Sequence, residues 1–168
     1  ETMLRGICEK KTFLDLLENF ILYDHSGGRT TKILARNHQY LGVNEAVSAY
    51  ENRKLKDGRL GVFWHTQGSG KSYSMVMLAR KIKHKCTGNF TFLIVTDRED
   101  LDTQIYKNFL RTEFITDKDK VQPANSKQLR EELKTNKSIL FTLIHKFRYD
   151  KGKKYPVLSC LLYTSPSP

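Results

Sequence analysis

The chain has 168 residues, the size of about one domain, and its 39% hydrophobic and 11% aromatic content suits a packed core and exceeds that of a disordered chain. No segment reaches the ~18 consecutive apolar residues of a membrane span, and no basic-then-apolar leader opens the sequence. Cys8, Cys86 and Cys160 have neither disulfide-framework nor metal-ligand spacing, which leaves a reduced, cytoplasmic globular protein as the default. The 29 Lys and Arg against 18 Asp and Glu give a formal charge of +11, a surplus that suits nucleic acid as a partner and suits plain solubility equally.

In chain order, Thr12 to Asp24 has the periodicity of an amphipathic helix. Phe13, Leu16, Leu17, Phe20 and Ile21 share a stripe, Thr12 is a candidate cap, and Asp15 is its capping-box partner. His25 to Thr31 is a turn-rich break, and Asn37 is placed to cap a helical stretch reaching Tyr50. After a second turn at Lys56-Asp-Gly58, strand and helix alternate. Strands are expected at Arg59–Trp64, Asn89–Val95 and Ser138–Ile144, and helices at about Lys71–Lys85, Leu101–Phe109 and Ser126–Thr135. Near-continuous apolar strands alternating with helices predict a parallel α/β sheet, with a ligand site beyond the carboxyl ends of the strands. Val76, Ala79 and Ile82 form a core stripe on the first of these helices.

The sharpest motif is Trp64-His-Thr-Gln-Gly-Ser-Gly-Lys-Ser72, directly after an expected strand and opening a helix. Gly68 and Gly70 let successive N–H groups turn toward phosphate oxygens, and the helix N-terminus adds its dipole. Lys71 brings a mobile charge to the β- and γ-phosphates, and the Ser72 hydroxyl ligates magnesium. The strict pattern has glycine where His65 stands. The plainer alternative is a Gly-Ser connection followed by a surface lysine.

Four segments, in order, resemble the motor motifs of the restriction subunit of type I restriction–modification enzymes, over roughly residues 10 to 159. Gly61 to Ser72 resembles the first motor motif. Val95-Thr-Asp-Arg-Glu-Asp-Leu-Asp-Thr-Gln104 looks like the Asp-Arg-x-Asp-Leu-Asp-x-Gln motif that follows it. Ser138 to Phe147 is similar to a segment usually ending Thr-Thr-Ile-Gln-Lys-Phe, from which Leu143 and His145 depart. Upstream, Arg36-Asn-His-Gln-Tyr40 resembles the family's adenine-recognising segment.

The resemblance implies a P-loop NTPase with an incomplete RecA-like parallel sheet flanked by helices, within an ATP-dependent translocase that pumps double-stranded DNA. In the family this motor is fused to an N-terminal nuclease that cleaves unmodified DNA. It works in a cytoplasmic complex with methyltransferase and specificity subunits. ATP and Mg2+ are the implied cofactors, held by Gln39 and by Thr66, Gln67, Gly68, Ser69, Gly70, Lys71 and Ser72. Lys71 acts in catalysis and Ser72 ligates the metal. Arg98 and Thr142 are carried over as DNA contacts, with Thr142 expected on a DNA-facing rim. Lys146, Lys153 and Lys154 join them from the basic, aromatic-interleaved run His145–Lys154, for which a solvated loop is an equal reading. At least one of Asp97, Asp100 and Asp102 is expected to serve only as a cap or dipole carboxylate.

After Phe147 the one acidic residue is Asp150, so the acidic pair that completes a motor's metal site is absent from this sequence. The expected organisation is a linker from a nuclease over residues 1–30 and a partial first RecA-like domain over 31–159. Residues 160–168, which resemble a translated sequencing adapter, form a non-native tail or, alternatively, a Pro-rich one. The fragment alone is expected to be inactive. Rival readings are another superfamily-two helicase or repair translocase, and a nucleotide-binding module without turnover.

Overall fold

The computed structural model describes residues 6–88, 90–116, 121–135 and 137–147. They fall into two compact units, Glu1–Cys86 with Asn108–Phe114, and Thr87–Lys107 with Ile115–Pro168.

The first unit begins with α1 (Lys10–Asn19), β1 (Ile21–Asp24) and β2 (Thr31–Leu34), continues with α2 (Asn37–Glu51), and then reaches α3 (Lys71–Lys85). The cap of α1 is Glu9, whose carboxylate accepts from the Thr12 backbone N–H at 3.0 Å and the Thr12 hydroxyl at 2.7 Å. The helix expected over Thr12–Asp24 therefore starts earlier and stops at Asn19. Ile21–Asp24 leaves it to pair antiparallel with Thr31–Leu34, because the Ser-Gly-Gly break lets the chain fold back with Gly27 at φ 72°. The predicted apolar stripe reaches the core only in part: Phe20 and Ile21, just past the helix, are buried and Leu16 is half-buried, but Phe13 and Leu17 are exposed.

What α1 docks with is polar. Lys81 of α3 is almost fully buried and donates to both Asp15 carboxylate oxygens, at 2.6 and 2.5 Å, and to Asn44 Oδ1 of α2 at 2.5 Å. Its ammonium also lies 4.9 Å from the centroid of the Phe20 ring. Asn19 Oδ1 accepts from His84 Nδ1 at 3.0 Å, and Asn19 Nδ2 donates to Asp15 at 2.9 Å. Around this cluster pack Phe20, Leu22, Val43, Val47 and Met77, with the expected stripe of Val76, Ala79 and Ile82 buried as well.

The second unit holds β3 (Phe92–Thr96), the start of α4 (Glu99–Arg111), α5 (Ser126–Lys134) and β4 (Ile139–Leu143). β3 and β4 pair in parallel, Phe92 with Ile139 through Thr96 with Leu143. All five residues of β4 are buried, as a strand covered on both faces requires. Leu129 and Leu133, one turn apart on α5, close over Leu140, and Leu93 and Phe147 flank them. Each such leucine contributes about 1.5–3 kcal/mol on burial.

The α/β class is therefore observed, but the predicted sheet is present only as this parallel pair. Arg59–Trp64, expected as a buried strand before the glycine loop, has no ladder partner among the described residues and is not a strand. A strand is defined by its neighbours, and without one Val62 stays 93% exposed and Trp64 79% exposed. Among the described residues no helix is long and apolar enough to cross a membrane.

Truncating Asp15 would strand a buried ammonium. Asp15→Ala is expected to lower the unfolding free energy by about 3–5 kcal/mol, whereas the Asp15→Leu/Lys81→Met pair, which leaves no buried charge, recovers most of the loss. Urea denaturation of the three proteins measures this, and a single-variant loss below about 1 kcal/mol would show that the pair is not structural.

Candidate functional site

The glycine-rich loop runs from Phe63 into α3. Gly68 and Gly70 adopt φ of 77° and 83°, values that side-chain-bearing residues rarely tolerate. The Ser69 N–H bonds the Thr66 carbonyl at 3.3 Å, which closes the turn. Lys71 folds back, its ammonium donating to the carbonyls of His65 at 2.8 Å and Thr66 at 2.9 Å. Among the described residues, the backbone N–H groups of Gly70, Lys71 and Ser72 have no hydrogen-bond acceptor. These are the unpaired donors at a helix start, and they carry its positive dipole end.

Helix α2 straps this loop along its first turns. The Phe63 ring lies against Gly42, so closely that a Cβ there would overlap it. One turn earlier, His38 meets the His65 ring edge-to-face with centroids 4.9 Å apart, and its Nε2 donates to the Ser69 carbonyl at 3.2 Å. Phe63 and His65 pack on each other at 4.4 Å. The next residue, Gln39, donates to the Gly70 carbonyl at 3.0 Å and the Ser74 hydroxyl at 3.3 Å, and accepts the Arg36 N–H at 2.9 Å. The cap of α2 is thus Arg36, one residue before the expected Asn37, with Gln39 closing the N-terminal turn.

Gln39 is only 4% exposed and both its amide hydrogens are committed within the protein. A bidentate contact to an adenine edge, as the resemblance implies, requires it to release Gly70 or Ser74. His38 and the packed His65 were not singled out as site residues. The available signal was the His65 departure from the glycine pattern, and its partner lies in another element. Behind the loop, Tyr73 donates to Asp24 at 3.1 Å. Burial pushes the Asp24 carboxyl up, but hydrogen bonds from Ser26 and Tyr73 outweigh it and hold the group below its ordinary range. Tyr73 is pushed up, first by burial and then by Asp24.

Of the remaining predicted positions, Thr66 and Gln67 are exposed and Ser72 is half-buried in the first turn of α3. Arg98 is exposed beside Asp97, at 3.8 Å. Thr142 is 1% exposed, within β4, so the expected rim position is corrected: a strand covered on both faces hides it. Lys146 donates to the Pro123 carbonyl at 2.8 Å. Lys153 and Lys154, like residues 160–168, lie outside the described residues. Asp102 is buried and accepts from Thr96 at 3.2 Å and Gln122 at 2.8 Å, a structural carboxylate, whereas Asp97 and Asp100 are exposed.

The loop's donor set fits a polyphosphate: three unpaired amides, a mobile ammonium, and a Ser69 hydroxyl buried without a partner among the described residues. The bond to Gln39 adds a constraint, because a Cβ on Gly70 would stand 2.9 Å from its Nε2. Gly70→Ala therefore combines left-handed strain with a clash, and is expected to weaken any anion bound at the loop by tenfold or more while α3 stays folded. Titration calorimetry with ATP–Mg2+ alongside circular dichroism checks this, and unchanged affinity would remove Gly70 from the site.

Comparison with known proteins places this geometry in context. The type I restriction enzyme HindI endonuclease subunit of Haemophilus influenzae is 37% identical over 166 residues, covering 95% of this chain and 16% of the relative. A Methanocaldococcus jannaschii protein carrying the name of a type I restriction enzyme MjaIXP endonuclease subunit is 32% identical over 167 residues, covering 95% and 15%. The chain thus spans about one-sixth of the length of these relatives. Residues 38–161, from the histidine that holds the loop to beyond β4, match the family model described as SWI2/SNF2 ATPase. The chain belongs to the SWI2/SNF2 ATPase family.

Proposed function

We propose that the chain is the ATP-binding part of a type I restriction enzyme subunit that translocates double-stranded DNA and cleaves unmodified DNA. The single observation that supports this best is the row of amides at Gly70, Lys71 and Ser72, unpaired among the described residues, beside a lysine that donates to the His65 and Thr66 carbonyls. ATP–Mg2+ supplies the phosphoanhydride whose hydrolysis drives such a motor. Lys71 exchanges the His65 and Thr66 carbonyls for phosphate oxygens and holds the charge that builds up on them. The amides of Gly70, Lys71 and Ser72 would orient the phosphates, Gly68 and Ser69 shape the turn, Thr66 and Gln67 line the loop, and the Ser72 hydroxyl would hold the metal. Gln39 stands behind the loop and reaches the base if it gives up one loop contact.

In the same reading, residues 1–30 are a linker from a nuclease, 31–159 most of a first RecA-like domain, and 160–168 a non-native tail. Arg98, Lys146, Lys153 and Lys154 track the DNA backbone through charge. The partners are methyltransferase and specificity subunits in a cytoplasmic complex.

Lys71→Ala removes a charge-assisted contact of roughly 1.5–3 kcal/mol and is expected to weaken ATP–Mg2+ binding by about tenfold or more, read by calorimetry. Wild-type affinity in the variant would sink the assignment. Turnover by these 168 residues alone is expected to be absent, since the sequence after Phe147 has only Asp150 where a motor carries an acidic pair to orient water; DNA-stimulated phosphate release from the purified chain would overturn that. Reversing the charges of Lys153 and Lys154 is expected to flatten the salt dependence of DNA binding by about one contact each, and an unchanged slope would return them to a solvated loop.

A further inference from the structure

We propose that His38 is a positioning residue for the phosphate loop: it turns the Ser69–Gly70 peptide so that the Gly70 N–H faces the site. This rests on the nucleotide-binding reading above. A peptide unit is planar and trans, so its carbonyl and the following N–H point in opposite directions. Whatever holds the Ser69 carbonyl therefore also aims the Gly70 N–H, and whatever holds the Gly70 carbonyl aims the Lys71 N–H. His38 Nε2 holds the first carbonyl at 3.2 Å, while the second is shared by Gln39 Nε2 at 3.0 Å and the backbone N–H groups of Tyr73 and Ser74 in the first turn of α3, at 3.0 and 3.1 Å. Two adjacent side chains in the first turn of α2 thereby reach two successive peptide planes of the loop; the second is also fixed by the start of α3, and the first rests on His38. The N–H groups on the far side of those planes, at Gly70 and Lys71, have no acceptor among the described residues.

Three further features tie His38 to this task. Its donor must be Nε2–H, because a carbonyl only accepts, so the ring's protonation at that nitrogen is set by the loop. The ring is braced edge-to-face on His65, the residue standing where the strict motif has glycine, and His65 is braced in turn on Phe63. Phe63 rests on Gly42, one turn along α2 from His38, so loop and helix are joined at two successive turns of one face. His65 thus replaces the freedom of a glycine with a packed anchor. The clamp lowers the cost of ordering the loop around phosphate, since the peptide planes are already turned before the ligand arrives.

Three variants separate the hydrogen bond from the ring packing. His38→Phe keeps the ring and loses the donor, His38→Gln keeps a donor at similar reach and loses the ring, and His38→Ala loses both. Two readouts are taken on the chain: ATP–Mg2+ affinity by calorimetry, and backbone 15N order parameters of Ser69, Gly70 and Lys71 without nucleotide. Circular dichroism verifies that each variant is folded. His38→Phe and His38→Ala are expected to weaken ATP–Mg2+ about three- to tenfold and to lower the loop's order parameters below about 0.6, with His38→Gln within about twofold of the unaltered chain. In the unaltered chain the 15N spectrum of His38 should show the Nε2–H form. Unchanged order parameters in folded His38→Phe, or a His38 protonated only at Nδ1, would overturn the proposal. An unaltered chain that binds no ATP–Mg2+ but whose loop loosens in His38→Phe would instead overturn the nucleotide reading and leave the clamp standing. If His38→Gln behaves like His38→Ala, ring packing rather than the hydrogen bond orders the loop, and the proposal fails.

Discussion

A lysine ammonium taken out of water must be met by a carboxylate or the helix that carries it will not stay buried. In the first unit that requirement is satisfied at Lys81, and three helices are organised by it. Asp15 of α1 and Asn44 of α2 converge on the same nitrogen of α3, with the Phe20 ring beneath. A buried pair of this kind is weak evidence for net stability, because desolvation offsets most of the attraction. Its effect is directional: apolar contacts would let α1 slide, whereas two carboxylate oxygens on one ammonium define a register.

The same helix carries polar ties along its whole length. Its first turn is held by Gln39 through Gly70 and Ser74, Tyr73 reaches Asp24 on the hairpin, and Arg80 donates to the Ile21 carbonyl at 2.9 Å. Lys81 and His84 then meet α1. The glycine-rich loop is thus the N-terminal end of a well-tied helix rather than a free connection. Such support from behind is what a site needs if its donors are to be aligned before ligand binds. The loop's carbonyls at Ser69 and Gly70 are also met by side chains of α2, a helix far away in sequence.

Elements whose identity rests on local periodicity were legible. α3 spans Lys71–Lys85 as expected, α5 is shorter than expected by one residue at its end, and β4 by one residue at each end. The parallel pairing of β3 with β4 followed from apolar strands separated by helices. The first helix misled, because Phe20 and Ile21 continue its apolar period although the chain has already turned into a strand at Ile21. Its apolar stripe misled for a related reason: periodicity reports which side is greasy, not which side is docked, and α1 docks through Asp15 and Asn19. Arg59–Trp64 has a strand's composition without a strand's partner, and composition alone makes no ladder.

The loop residues themselves, Thr66 to Ser72, were marked by the sequence because glycine spacing, a lysine and a hydroxyl are local chemistry. Which side chains orient that loop was not so marked. His38 and Gln39 lie about thirty residues upstream, and nothing in their spacing says that they meet the carbonyls of Ser69 and Gly70. Nor does it show that Gln39 is buried with its amide already engaged, or that Thr142 lies inside β4. Local periodicity and loop chemistry depend on neighbours a few residues apart and so are written in the sequence. The direction of a peptide plane, and the burial of a charge or an amide, depend on what the fold places opposite them, and the tertiary structure alone decides that.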